Sequence, residues 1–170
     1  MKIKIIVIFI AGLFIASCSD ADSEQPAKGQ DVGSETAKTS NPFSTPPAPK
    51  REIDPKQLAQ GEKLFLKNCA KCHGENGEGH PKWQEKGEDG KYPPPPVNGE
   101  GHAWHHPTKI LRDYIKLGSM EKGGNMEGFK DTLGDGEVDD IIAWFKSKWP
   151  DQQYTSWYWR DQESKGKEDG

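Results

Sequence analysis

The chain has 170 residues, of which only 32% are apolar, and a formal net charge of −4. That apolar share is too low for the whole length to pack into one core. The charge balance argues against nucleic-acid binding, which needs a basic surface, and leaves contact with a basic protein face open.

Residues 1–17 read as an export signal. Lys2 and Lys4 give a charged start, Ile5 to Ile15 form an apolar run, and small residues follow. The run is too short for a comfortable transmembrane helix. Ile15-Ala16-Ser17-Cys18 resembles a bacterial lipoprotein signal, which implies cleavage before Cys18 and lipid on its thiol. The competing reading is ordinary secretion with a cysteine near the cleavage site. Ser19 points, by analogy with sorting rules, to the outer membrane. The expected location is the periplasmic side of a bacterial membrane, lipid-anchored.

Residues 18–52 form the lipidated N-terminus and a linker. The linker is rich in Ser, Asp, Glu, Gln, Pro, Thr and Ala, with Phe43 almost its only large apolar group. It cannot bury enough surface to offset the entropy of ordering and is expected to be disordered. Pro42, Pro46, Pro47 and Pro49 stiffen its end toward polyproline II. As a coil it spans about 30–35 Å, enough to lift a small domain off a membrane.

The folded domain is expected over residues 53–150. Asp54-Pro55-Lys56-Gln57 is a helix start, with Asp as N-cap and Pro at the first helical position. Leu58, Gly61, Phe65 and Cys69 follow at helical spacing. A mid-helix glycine costs stability relative to Ala and suggests close approach of another helix. The alternative is tolerance of Gly near a helix start.

Cys69-Ala70-Lys71-Cys72-His73 comes next. Two thiols three apart with a histidine after the second is the attachment pattern of a c-type haem. Each sulfur can form a thioether to one vinyl group, and His73 then lies where an imidazole nitrogen can bind the iron. The competing readings are a redox pair, half of a zinc site, or chance. A redox pair would want a thioredoxin-like βαβ context, and none is visible. A zinc site would want further ligands downstream; no cysteine follows Cys72, although His102, His105 and His106 do.

After His73 the chain turns irregular at Gly74, Gly77 and Gly79, and residues 81–101, with Pro93 to Pro96 in a row, read as a wrapping loop. In His102-Ala103-Trp104-His105-His106 three histidines in five residues suggest either a metal site or, as we expect, a solvated or propionate-facing loop. Pro107 to Leu117 reads as an amphipathic helix ended by Gly118, and residues 119–133 as a loop. The last helix is expected from Asp135 to Lys148, with Glu137, Asp139 and Asp140 suiting its N-terminal end and Lys146 and Lys148 its C-terminal end. Val138, Ile141, Ile142, Trp144, Phe145 and Trp149 give it an apolar face, and Pro150 stops it. Residues 151–170 form a tail with Tyr154, Trp157, Tyr158 and Trp159, then a charged, frayed end. Its aromatics are expected to pack back over the domain, with a partner or membrane contact as the alternative.

From Asp54 to Pro150 the chain resembles a class I cytochrome c domain, on Gly61, Phe65 and Cys69 to Gly74, on Pro95-Pro96-Val97-Asn98-Gly99, and on Met126-Glu127-Gly128-Phe129. The resemblance implies an all-α fold of about three main helices wrapped round one covalent haem c. It implies that the C-terminal helix meets the N-terminal helix at Gly61, with Trp144 or Phe145 filling the gap. It implies that the Pro95 carbonyl accepts a hydrogen bond from the outer nitrogen of His73, a contact that fixes the ring. The second axial ligand it implies is Met126; this sequence keeps the Met and the aromatic of that segment but lacks the Pro usually between them. Met120 and the histidines 102, 105 and 106 are the rival ligands.

The function this implies is a membrane-tethered carrier of single electrons between redox partner proteins. No nucleophile, base and orienting group suggest substrate chemistry. A peroxidase-like enzyme or a haem-based ligand sensor would need a labile sixth ligand. Copper handling through His102–His106 is a further alternative.

Overall fold

The computed structural model describes residues 46–52 and 54–167. The expected export signal, Cys18 and the linker up to residue 45 lie outside the described residues. Helix α1 (Pro55–Asn68) starts as the sequence predicts, with Pro55 in its first turn and the Asp54 carboxylate accepting from the Lys56 N–H at 2.9 Å. One turn, α2 (Ala70–His73), carries the cysteine–histidine motif. Helix α3 (Thr108–Leu117) ends at Gly118, whose N–H bonds the Tyr114 carbonyl at 2.9 Å. In α4 (Asp135–Ser147) the Glu137 carboxylate reaches back to the Gly134 N–H at 2.9 Å. Helix α5 (Asp151–Gly166) follows directly after Pro150. Short 3-10 turns lie at Ala103–His105 and Met120–Lys122. Among the described residues there is no strand, so the fold is all-α as expected.

The main helix pair is α1 with α4. Phe65, Val138, Ile141, Ile142, Trp144 and Phe145 are all buried there, and each such side chain contributes about 1.5–3 kcal/mol of transfer free energy. Gly61 makes the approach possible. A Cβ built on it would strike the backbone carbonyl of Asp140 and lie 2.9 Å from the Trp144 Cβ. Trp144 is the aromatic at this gap, its ring 4.3 Å from that of Phe65. Phe145 instead faces Trp149, at 5.8 Å. Arg112 of α3 and Asp139 of α4 join those helices through two bonds of 2.5 and 2.8 Å, and Lys116 pairs with Asp135.

Two expectations are corrected. The tail is not frayed over its charged part: α5 runs to Gly166, with Trp157 and Asp161 buried. Asp161 accepts a 2.6 Å bond from the Thr108 N–H, one of the donors that the start of α3 leaves unmade. Burial alone pushes the Asp161 carboxyl up, but that bond and Lys165 outweigh it and hold the group below its usual range. The linker does not extend to residue 52, because Arg51 is docked on the domain. Its guanidinium donates to the Trp149 carbonyl at 2.7 Å and to Asp151 at 2.9 Å, and lies 4.2 Å from the Tyr154 ring centre. Trp159 likewise donates to the Pro46 carbonyl at 2.6 Å. Lys146 and Lys148 stand at the C-terminal end of α4 as expected, Lys146 in its last turn. Their ammonium groups also sit over the rings of Trp157 (3.7 Å) and Trp144 (4.3 Å). Arg51 joins them at that end, with its second nitrogen 3.4 Å from the carbonyls of Lys146 and Ser147.

Two outcomes follow from this packing. Gly61→Val should lower stability by at least about 1–3 kcal/mol in chemical denaturation, because the new atoms meet backbone that cannot yield without moving a helix. Parent-like stability would mean that α1 and α4 do not meet there. The second outcome concerns Lys146, whose ammonium burial pulls down from 10.5 to about 8. Between those values the unfolded chain holds a proton that the folded chain has lost, so this site adds stability as pH rises from 8 toward 10.5. The stability difference between the parent and Lys146→Met should therefore move in the parent's favour from pH 7 to pH 10. A difference that is flat with pH would contradict the burial.

Candidate functional site

α1 delivers the motif. The Cys69 N–H still bonds the Phe65 carbonyl (2.8 Å), and the His73 N–H bonds the Cys69 carbonyl (3.0 Å), so α2 starts where α1 stops. Cys69 is buried and Cys72 exposed; both are free thiols. Burial, with Cys72 beside it, pushes the Cys69 thiol up to about 11.

His73 is half-buried, and its Nδ1 lies 2.9 Å from the Pro95 carbonyl oxygen. A carbonyl can only accept, so Nδ1 carries the proton and Nε2 keeps the lone pair. Burial lowers the imidazole pKa, with the Pro95 bond opposing it in part, and burial therefore favours the neutral ring that a metal needs. Pro95 is held by stitches along its strand of prolines. The His80 N–H donates to Pro94 O (2.9 Å), Val97 N–H to Gly77 O (2.7 Å), and the Trp149 indole to Val97 O (2.7 Å). Gly79, at φ +68°, packs against the Pro95–Pro96 backbone where a Cβ would lie 2.5 Å from the Pro95 carbonyl carbon.

Cys69, Cys72, His73, Pro95, Met126 and Phe129 line one cavity of about 790 Å³, within the range of roughly 300–1,000 Å³ typical of cofactor sites. Met126 is half-buried and packs against the core, whereas Met120, on the same cavity, is 58% exposed. Lys71, Lys86, Lys91 and Lys122 also line it, against one acid, Glu127. The fit to a covalently attached haem is good: two free thiols, a neutral imidazole with one nitrogen uncommitted, and a soft thioether share a single cavity.

The histidines 102, 105 and 106 do not line this cavity. His105 stacks on Trp104 at 3.7 Å and His102 on Trp83 at 5.8 Å. Burial first, then neighbouring His and Arg160, lowers the pKa of His105 and His106. Among the described residues no group of three His, Cys, Asp or Glu side chains is arranged to hold a metal. A second cavity, about 310 Å³, is lined by residues of α1, α4 and α5, but carries neither thiol nor imidazole, and its Arg112–Asp139 and Lys165–Asp161 charges pair with each other.

The sequence model of the cytochrome c family matches residues 58–149. The chain belongs to the cytochrome c family. It is thus a c-type cytochrome, of a family that binds haem c covalently and carries electrons, and a single domain of this kind takes one haem. Helix α5 and the docked residues around Arg51 lie outside the matched segment. No curated protein and no solved structure registers as a match to the chain.

Sequence reasoning missed Ser119, which bonds the Met126 backbone, and the Trp149 indole, which holds the proline strand. Ser119 did carry a signal: a serine just after a helix-ending glycine is placed to bond loop amides. Trp149 carried none beyond its apolar character.

Proposed function

We propose that this cytochrome is a membrane-tethered carrier of single electrons, its haem attached through Cys69 and Cys72 and its iron held between His73 and Met126. The observation that carries the reading is the convergence of those four side chains on one cavity, with His73 already fixed as the neutral Nδ1–H tautomer. Haem, when bound, supplies a one-electron iron couple. The chain does the rest. Pro95 orients the imidazole and raises its basicity. The Met126 thioether, a soft neutral donor, favours the reduced state and so a higher potential than a second imidazole would give. Were His73 and Met126 both to hold the iron, no position would stay open for substrate, which favours a carrier over a peroxidase or a ligand sensor.

The cavity lining also suggests the face presented to partners. Four lysines and one acid border it in a chain whose net charge is −4. A locally basic patch on an acidic protein would orient an acidic redox partner toward the cavity, with rates that fall as salt rises. The Ile15-Ala16-Ser17-Cys18 signal supports attachment through lipid on Cys18, with the periplasmic side of the outer membrane as the site. Among the described residues no helix is long and apolar enough to cross a membrane.

Two experiments test this reading. The purified protein should contain about one haem per chain by the pyridine haemochrome assay, inextractable by acid–acetone, and its reduced form should take up carbon monoxide far more slowly than Met126→Ala does. Extractable haem, or carbon monoxide uptake by the parent as fast as by Met126→Ala, would contradict the reading. Cys18→Ser should release the protein to a soluble fraction with its visible spectrum unchanged. Persistent membrane attachment would shift the anchor to another part of the chain.

A further inference from the structure

The loop that bears Met126 is tied down at both ends on α3. The last carbonyls of that helix lack helical partners, and the loop supplies them: Phe129 N–H donates to Ile115 O and Lys130 N–H to Lys116 O, each at 3.0 Å. Between these ties and Gly118 the chain makes an excursion through two glycines, Gly123 and Gly124, and returns to Met126. One residue closes the neck of that excursion. The Ser119 N–H donates to the Met126 carbonyl at 2.8 Å, and the Met126 N–H donates to the Ser119 hydroxyl at 3.1 Å. The Ser119 carbonyl in turn accepts from the N–H groups of Lys122 (3.0 Å) and Gly124 (2.9 Å). The N–H, the carbonyl and the hydroxyl oxygen of Ser119 are thus engaged within its own loop, and both backbone polar groups of Met126 are taken by Ser119.

The surrounding glycines suit this closure. Gly118, at φ +73°, lies against the 126–128 backbone, where a Cβ would come within 2.8 Å of Glu127 C and Gly128 N. A Cβ on Gly124 would lie 2.7 Å from the Ser119 Cβ. The loop therefore packs closely about the Ser119 side chain.

We infer that Ser119 is the positioning residue for Met126: by gripping both backbone polar groups of that residue it sets how readily the thioether leaves the iron. The inference rests on the reading of Met126 as the sixth ligand. Without the hydroxyl, the Met126 N–H loses its partner in a half-buried place, and the loop opens more often. A serine that merely satisfied a loop amide would alter overall stability and leave ligand release untouched.

The test uses the full-length holoprotein, with Met126→Ala as control. In the ferric parent, the weak near-red charge-transfer band of a methionine-bound haem should be present, and Met126→Ala should abolish it. Ser119→Ala should then raise the rate at which the reduced protein takes up carbon monoxide by about two- to tenfold, the size expected for one hydrogen bond. It should also bring thermal loss of the near-red band to a lower temperature, with the unfolding midpoint of the helices shifted less. Ser119→Thr, which keeps the hydroxyl, should restore parent behaviour. If Met126→Ala alters the band as stated while Ser119→Ala takes up carbon monoxide at the parent rate, the role given to Ser119 is wrong and the ligand assignment stands. A parent without the band, or a band that survives Met126→Ala, removes the ligand assignment and the role of Ser119 with it. Should Ser119→Ala fail to assemble, hydrogen exchange on the parent decides. A protected Met126 amide whose opening keeps pace with carbon monoxide uptake supports the role, and an unprotected amide overturns it.

Discussion

The approach of α1 to α4 at Gly61 is the constraint on which the other parts depend. A side chain there would collide with the Asp140 carbonyl, so the two backbones can touch only because glycine brings nothing between them. That contact buries Phe65 against Trp144 and closes the core formed by Val138, Ile141 and Ile142. It also fixes the end of α1. Because Cys69 still bonds the Phe65 carbonyl, the position of the cysteine–histidine turn follows from the helix pair.

The site is assembled on this frame by backbone polar groups more than by side-chain chemistry. The proline strand cannot donate along its length, so its carbonyls are free to accept. One takes the His73 proton, its neighbour takes His80 N–H, and the Trp149 indole fastens Val97 from the end of α4. The same principle recurs at Met126, whose loop is anchored by unfilled carbonyls at the end of α3. A cofactor that must change charge without large movement benefits from such rigid fastening, since every group that senses the charge is already oriented.

How much of this was legible depended on whether the cause was local. Asp54-Pro55 shows its helix start in sequence because capping is a matter of adjacent residues. The thiols and His73 show theirs because attachment requires their spacing. The end of the linker was not legible: Arg51 looks like any charged residue near a Pro-rich stretch, and its partners lie at the end of α4 and start of α5. Nor was the helical nature of the tail. Its aromatics and charges do not sort into a clean face, and its anchor, Asp161 on Thr108, joins residues far apart in the chain. Lys146 was legible only in part. Local rules place it in the last turn of α4, where it stands, whereas its contact with Trp157 and the arrival of Arg51 at the same helix end come from the tertiary fold. For the choice between the rival ligands the sequence holds no local cause, and burial supplies what supports Met126: Met120 and Met126 both line the cavity, yet only Met126 packs on the core, while histidines 102, 105 and 106 do not line it.

In the proposed reading a methionine, and specifically Met126, would hold the haem iron together with His73. Proton magnetic resonance of the reduced holoprotein tests it most directly, since a methyl group held over a porphyrin face is shifted far upfield by the ring current. The account predicts one such three-proton signal, assigned to the Met126 methyl by its loss in Met126→Ala and its survival in Met120→Ala. A signal that belongs to Met120, or none together with resonances of two iron-bound imidazoles, would contradict it.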